Sequence, residues 1–212
     1  MYEGGAAALP SFLWYNDSMA KNETKLRIIK KGAQLVHARG FNNTGIQEIL
    51  DAAGIPKGSF YFYFKNKEDL GLHIIDYYGE ILVGNTVIYL QDTSIPPLER
   101  IDRLLETNQR RFEKLNFRYG CPIGNMMQEM ADLSDTFRER IIQVYSRLSA
   151  CIEACLKEGQ RIGDIPAEVE PEETAQFILN SWEGAIMQMK LTKDERPLAA
   201  CRKHVKVKLM SK

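Results

Sequence analysis

Two short stretches hold the residue types and spacings from which chemistry could come. The first is Gly120-Cys121-Pro122-Ile123-Gly124-Asn125, a cysteine beside a proline with glycines on either side. A proline in this setting opens a short helix. The Cys121 thiol then stands at the helix N-terminus, where free N–H groups and the helix dipole favour the nucleophilic thiolate. The competing reading of Cys121 is a buried small hydrophobe at a tight bend. Met126, Met127 and Met130 follow at once. They read either as core filling or as an adaptable wall for an apolar or aromatic ligand. Phe112, Phe117, Phe137, Tyr145, Phe177, Trp182 and Met187 are candidates to share that pocket. Few basic residues fall on these inner faces, which disfavours a large polyanionic ligand.

The second stretch is Lys57-Gly58-Ser59-Phe60-Tyr61-Phe62-Tyr63-Phe64. Phe60 and Phe64, four apart, stack on one side of a short helix. Lys57, Gly58, Ser59, Tyr61 and Tyr63 interleave with them, a mixture of basic, small polar and aromatic-hydroxyl groups suited to base edges and phosphates in a major groove. Gly58 leaves room for close backbone approach. Tyr61, between the two phenylalanines, also reads as a core aromatic. Thr44 begins the preceding helix, where a hydroxyl and free N–H groups can hold a phosphate.

Charge agrees with a nucleic-acid reading of this part of the chain. From Lys21 to Lys67 there are nine basic residues and three acidic ones, a net +6, and because the 212-residue chain is neutral overall, the remainder carries −6. A basic module on an acidic body suits an anionic partner for the first part alone. Catalysis has no comparable support. No Ser-His-Asp or Cys-His constellation is present, and Glu129 and Asp132 read as a solvated helix face. His37, His73 and His204 lie too far apart to suggest a metal site, and no cofactor is expected. Cys121, Cys151, Cys155 and Cys201 form no disulfide framework; the i, i+4 pair Cys151 and Cys155 lies on the apolar stripe of its helix and reads as core. No apolar run nears the ~20 residues of a membrane span. Without a signal peptide the cytoplasm is the simplest compartment.

The elements positioning these groups are all helical, about nine in number. Leu26, Ile29, Ala33 and Val36 mark a helix from Glu23 that Gly40 stops. Thr44 caps the next, with Gln47 three residues on, and Gly54 permits the following sharp turn. Pro56 opens the short aromatic helix and Asn66 caps a longer one from Lys67 to about Leu90. Further helices follow to about Leu115, from Asn125 to Ala131, after Ser134, from Pro171 and from Pro197. Residues 1–20 show no sustained periodicity. They read either as a flexible extension ahead of a start at Met19, or as a segment docking Phe12, Leu13, Trp14 and Tyr15 on the body.

Helix, glycine turn and helix on a basic segment is the layout of a helix-turn-helix reader. In detail, KLRIIKKGAQLVHARGFNNTGIQEILDAAGIPKGSFYFYFKNKEDL, Lys25 to Leu70, resembles the DNA-binding domain of TetR-family transcriptional regulators. The resemblance is carried by Arg39-Gly40-Phe41, Thr44, Ile49, Ala53-Gly54-Ile55, Gly58-Ser59-Phe60-Tyr61, Phe64 and Lys67-Glu68-Asp69-Leu70. Leu50 stands where the family usually has Ala, and Pro56 replaces its usual Ser cap. The resemblance implies a homodimeric, ligand-responsive regulator, most often a repressor, on a palindromic DNA operator. It implies a helix-turn-helix domain over 21–66 and an effector-binding and dimerisation domain over 67–212. Its DNA contacts would be Thr44, Lys57, Gly58, Ser59, Tyr61, Tyr63 and Lys67, with Lys57 and Ser59 at base edges and Thr44, Tyr63 and Lys67 on phosphates.

A lone short reader covers few bases, so a two-fold pair is expected. The last two long helices supply the interface through Phe177, Ser181, Gly184, Ala185 and Met189, with Trp182 divided between interface, pocket and ordinary core. The Gly-Cys-x-x-Gly-Asn segment also resembles one found in TetR-family members, some of which sense electrophiles or oxidants. The effector is thus expected to be a small apolar molecule, or a reagent that modifies Cys121. A helical small-molecule-binding protein or enzyme without DNA function is the alternative.

Overall fold

A computed structural model of the chain describes residues 11–210, with side chains from residue 22 onward. Among these residues it contains eight α-helices, one 3-10 helix and no strand. The reader unit comprises α1 (Ser11–Arg39), α2 (Ile46–Ala53) and the 3-10 helix Lys57–Phe62. The body comprises α3 (Lys67–Leu90), α4 (Pro97–Lys114), α5 (Pro122–Met130), α6 (Asp135–Ile162), α7 (Pro171–Thr192) and α8 (Arg196–Met210).

The first helix starts earlier than expected. No Gly or Pro interrupts residues 11–20, so the helix propagates back to Ser11, and a boundary at residue 20 falls inside it. Met1 to Pro10 lie outside the described residues, and whether Phe12, Leu13, Trp14 and Tyr15 dock on the body lies outside the described side chains. The cap of α2 is also displaced. Thr44 is fully buried and its hydroxyl donates to the Gly40 carbonyl at 2.7 Å. Gly45 therefore becomes the N-cap, and Glu48, not Gln47, accepts its N–H at 3.0 Å. Gly54 ends the helix at φ +65, a left-handed conformation that favours glycine. Asn66 caps α3 as expected, its Oδ1 accepting the Asp69 N–H at 2.8 Å.

Ile28, Val36, Ile49, Leu50, Phe60, Phe64, Leu70 and Ile74 knit the reader to α3. Leu50 is completely buried, so the larger side chain is absorbed in the core. The long helix α3 packs most extensively on α6, and α6 in turn on α7, which pairs with α8. One buried ion pair ties this body together. Arg100, 2% exposed, donates to the carbonyls of Ile95 at 2.7 Å and Leu90 at 2.9 Å, and forks onto the Glu158 carboxylate at 2.9 and 2.7 Å. That guanidinium holds the Glu158 carboxyl below its usual range.

No described helix is long and apolar enough to cross a membrane, and no described His, Cys, Asp and Glu group could hold a metal ion.

Candidate nucleic-acid interface and effector cavity

The short aromatic segment presents one buried and one open side. Phe60 and Phe64 are buried with ring centroids 5.4 Å apart. Lys57 and Gly58 are exposed, and Ser59 and Tyr63 are half-buried. Tyr61 is 74% exposed, which removes it from the core, and Phe62, not singled out from the sequence, is 75% exposed. The segment winds as a 3-10 helix, and both rings stand away from the side that Phe60 and Phe64 bury. Thr44 offers no free hydroxyl to a phosphate, because its Oγ1 is spent on Gly40. Lys67 is partly committed too: its Nζ donates to the Asn42 carbonyl at 3.3 Å and lies 4.7 Å from the Phe41 ring centroid. Burial lowers the Lys67 pKa, and nearby Glu129 opposes that shift.

Glu129 is no solvated residue. Its carboxylate forks onto two successive backbone donors of the α1–α2 turn, Phe41 N–H at 2.7 Å and Asn42 N–H at 2.6 Å. A side chain at Gly40 would meet the same carboxylate at 2.9 Å, and Gly40 has φ +91. Two constraints thus make this position a glycine. The C-terminal end of α5 holds the reader in this way.

The N-terminal end of α5 belongs to a cavity. Cys121 is its N-cap, with Sγ accepting the Gly124 N–H at 3.3 Å. The cavity, about 100 Å³, is walled by apolar residues of α3, α4, α6 and α7 including Leu104, Phe112, Leu148, Ile178 and Trp182, with Cys121, Glu183, His37, Arg111, Asn85, Thr86 and Asn108 as its polar groups. A second, more open cleft of about 480 Å³ shares His37, Gly120, Cys121, Glu183 and Ile186 with it and runs on to Arg39, Met127, Glu129 and Lys190. The segment entering α5 is backbone-strained: Asn116, Phe117 and Tyr119 have φ of 51, 54 and 70. His37 reaches across from α1 to hold it, Nε2 donating to the Gly120 carbonyl at 2.9 Å. Burial lowers the His37 pKa, against this hydrogen bond.

The Cys121 thiol follows the buried-hydrophobe reading rather than the activated one. It is buried, and burial together with the Glu183 carboxyl pushes its pKa up, outweighing the helix N–H groups. Burial likewise raises Cys151, and Cys155 to about 12, which leaves both as core thiols. Glu183 is itself raised, by burial first, with hydrogen-bonding interactions to Cys121 and Tyr145 opposing. Its carboxyl packs against Gly124, where a Cβ would lie 2.5 Å from Oε2. Tyr145 is pushed up by burial and by the charges of Cys121 and Glu183. Its hydroxyl is near Glu183 yet makes no well-formed hydrogen bond.

Several expected pocket residues lie elsewhere. Phe112, Cys121 and Trp182 line the cavity, and Met127 lines the neighbouring cleft. Met126, Met130 and Phe137 are buried where helices pack together, and Tyr145 stands behind the wall. Phe117 packs half-buried at the strained turn, Phe177 is 44% exposed in the groove facing α8, and Met187, 54% exposed, lines the open cleft beside Met127. The groove between α7 and α8, about 330 Å³, brings together Phe177, Ser181, Gly184 and Ala185. Met189 does not join them, since it is fully buried between helices. Glu183 and Glu129 are the residues the sequence reading missed.

The same organisation is found in known proteins. Residues 28–74 match the family model described as bacterial regulatory proteins, tetR family, and residues 97–205 match the tetracyclin repressor-like C-terminal domain. The chain is 32% identical over 184 residues to the HTH-type transcriptional repressor DhaR of Mycobacterium sp. (strain GP1), covering 85% of this chain and 89% of that one. It is 34% identical over 171 residues to the transcriptional regulator AcuR of Cereibacter sphaeroides, covering 81% and 78%. The crystal structure of Escherichia coli NemR in its reduced form superposes with a TM-score of 0.82 at 27% identity, over 90% of this chain and all of that one. The chain therefore belongs to the TetR family of bacterial transcriptional regulators, helix-turn-helix DNA-binding proteins and not enzymes.

Proposed function

We propose that the chain is a repressor that leaves a palindromic operator when a small, mostly apolar effector occupies the cavity beside Cys121. The observation carrying this reading is the placement of α5. Its first residue walls the cavity, and its last turn grips the reader through Glu129. An occupant that displaces Cys121 and Gly124 moves a rigid nine-residue helix whose other end is hydrogen-bonded to the α1–α2 turn. The α3 helix offers a parallel route, because it both lines the cavity and carries the reader core on Leu70 and Ile74. Either route shifts a population between two spacings of paired readers. Two copies would meet through α7 and α8, where exposed Phe177, Met187 and Leu191 offer apolar area around the small residues Ser181 and Gly184. In this reading the reader begins with α1 and ends at residue 66, the body spans 67–212, the protein acts in the cytoplasm, and Lys57, Gly58, Ser59, Tyr61 and Tyr63, with Phe62, face the DNA.

The test is a binding titration on the DNA sequence that the purified protein selects from a random pool. A palindrome of two half-sites is expected, and failure to enrich any sequence would remove the DNA-binding reading. Lys57→Ala, at an exposed position, weakens that binding about tenfold. An unchanged affinity would take Lys57 out of the interface.

Modification of Cys121 is the second route, favoured by its position on the wall shared by both cavities. The raised thiol pKa makes it slow at neutral pH. Mass spectrometry after mild alkylation is expected to find Cys121 labelled only as pH rises well above neutral.

A further inference from the structure

Glu183 is the one carboxyl in a mostly apolar cavity whose other polar linings are Asn85, Thr86, Asn108, His37 and Arg111, with the Thr86 hydroxyl and the Asn108 amide already donating to carbonyls of their own helices. It sits on α7 amid Leu179, Trp182 and Ile186, all of which line the same cavity. Its carboxyl is wedged against Gly124, so it is held inward by close packing. No lysine, arginine or histidine pairs with it among the described ion pairs. A carboxyl retained in such a place without a cation has one economical state, the neutral acid, which is a hydrogen-bond donor. Behind it the buried Tyr145 hydroxyl has no well-formed partner of its own. Tyr145 can donate to one carboxyl oxygen and leave the acidic O–H of the other free to point into the cavity.

We propose that Glu183, backed by Tyr145, reads the effector's single polar atom, and that the effector is a small neutral molecule carrying one hydrogen-bond-accepting oxygen, such as a ketone, aldehyde or ester, on an apolar body. This deepens the proposed function and rests on the cavity being the effector site. Size follows from volume. A cavity of 150 Å³ holds benzene, so one of about 100 Å³ takes about four to six non-hydrogen atoms. Two alternatives fit less well. A small ammonium ion would seek an ionised Glu183, but its charge would enter an apolar space that also contains the Arg111 guanidinium. A small carboxylate would face Arg111 favourably and Glu183 unfavourably once that group ionises.

The experiment measures binding of 2-butanone, butylammonium, butanoate and xenon by ligand-detected and xenon nuclear magnetic resonance. The proteins are the wild type, Glu183→Gln and Glu183→Leu, each checked for folding by circular dichroism. Xenon reports whether the cavity admits any ligand. We expect butanone to bind at least tenfold more tightly than butylammonium or butanoate, and Glu183→Leu to lose about tenfold for butanone while keeping xenon. Glu183→Gln, which retains a donor, keeps most of the butanone affinity.

The pH profile separates a donor from a mere space-filling side chain. The titratable groups interacting with Glu183 are Cys121 on α5 and Tyr145 on α6; His37 on α1, Arg111 on α4 and Lys190 on α7 line the same cavities. Butanone binding to the wild type falls as pH rises through Glu183 ionisation, and binding to Glu183→Gln does not. Tighter binding of butylammonium, or parallel pH profiles in the two proteins, overturns the inference while leaving the cavity as the effector site. If Glu183→Leu does not fold, those two results still decide. Exclusion of xenon from the wild type overturns the cavity reading as well.

Discussion

Replacing Arg100 with alanine lowers the stability of the folded chain by about 3 kcal/mol. The guanidinium is 2% exposed and serves three acceptors, the Leu90 and Ile95 carbonyls and the Glu158 carboxylate. Alanine removes all these donors together and leaves a cavity. The figure sits at the low end of the range for broken buried pairs, because the Glu158 side chain is 28% exposed and water can reach the charge left behind. In a chain of this size it corresponds to a fall in melting temperature of about 6–12 °C. Arg100→Lys keeps the charge but not the fork, so it falls between the two. The pair also carries a pH signature. Glu158 has its pKa depressed in the folded state, so the pair's contribution is fully present above the unfolded carboxyl pKa and is lost as pH falls through the lower, folded value. Thermal denaturation across that acid range should show the stability gap between wild type and Arg100→Ala closing. A constant gap would mean that carbonyl bonds and packing, not the ion pair, carry the effect.

Arg100 also shows why some of this protein was legible in its sequence and some was not. Helix existence was readable because its causes are local: apolar spacing, the Asn66 and Ser134 caps, and glycines at turns act within a few residues. The Thr44 cap failed for a tertiary reason. Its hydroxyl is buried and turns back to Gly40, which hands the cap to Gly45 and Glu48. The core reading of Tyr61 rested on its neighbours Phe60 and Phe64, but adjacency in sequence does not put a residue on the same helix side, and Tyr61 and Phe62 are both exposed.

The site was half legible for the same reason. Cys121, Phe112 and Trp182 line one cavity, since a Gly-Cys-Pro bend and apolar helix faces point inward by pattern. Of the two readings of the Cys121 thiol, the buried small hydrophobe matches the structure and the activated thiol does not. The helix N-terminus is visible in the sequence, but the opposing carboxyl lies on a helix some sixty residues away. Glu183 did leave a trace: an acid three residues before Ile186 and four after Leu179, on an otherwise apolar stripe. Such an interruption marks a carboxyl carried on a buried face against the local pattern. Glu129 left none, because its partners are backbone N–H groups, which any sequence possesses.

That makes Glu129→Ala the sharper probe of how the two parts communicate. The carboxylate receives two charge-assisted hydrogen bonds of 2.7 and 2.6 Å, one at a part-buried and one at an exposed site. Allowing for water replacing the exposed one, their loss costs about 2 kcal/mol in local stability. Hydrogen exchange of the Phe41 and Asn42 amides should accelerate about thirtyfold, while the α6 and α7 amides stay protected. Glu129→Gln retains only one acceptor oxygen, and its amide faces the second N–H donor to donor, so it recovers little. Lys67 loses its neighbouring charge in both variants but keeps its bond to the Asn42 carbonyl, which prevents the turn from detaching entirely. Operator affinity of the unliganded protein then falls modestly, because the reader samples more orientations before binding. The informative quantity is the ratio of operator affinities with and without an occupant of the cavity. If α5 transmits the signal, the ratio shrinks towards one in Glu129→Ala. If it is unchanged while the two amides exchange freely, α3 alone moves the reader and Glu129 serves only to brace it.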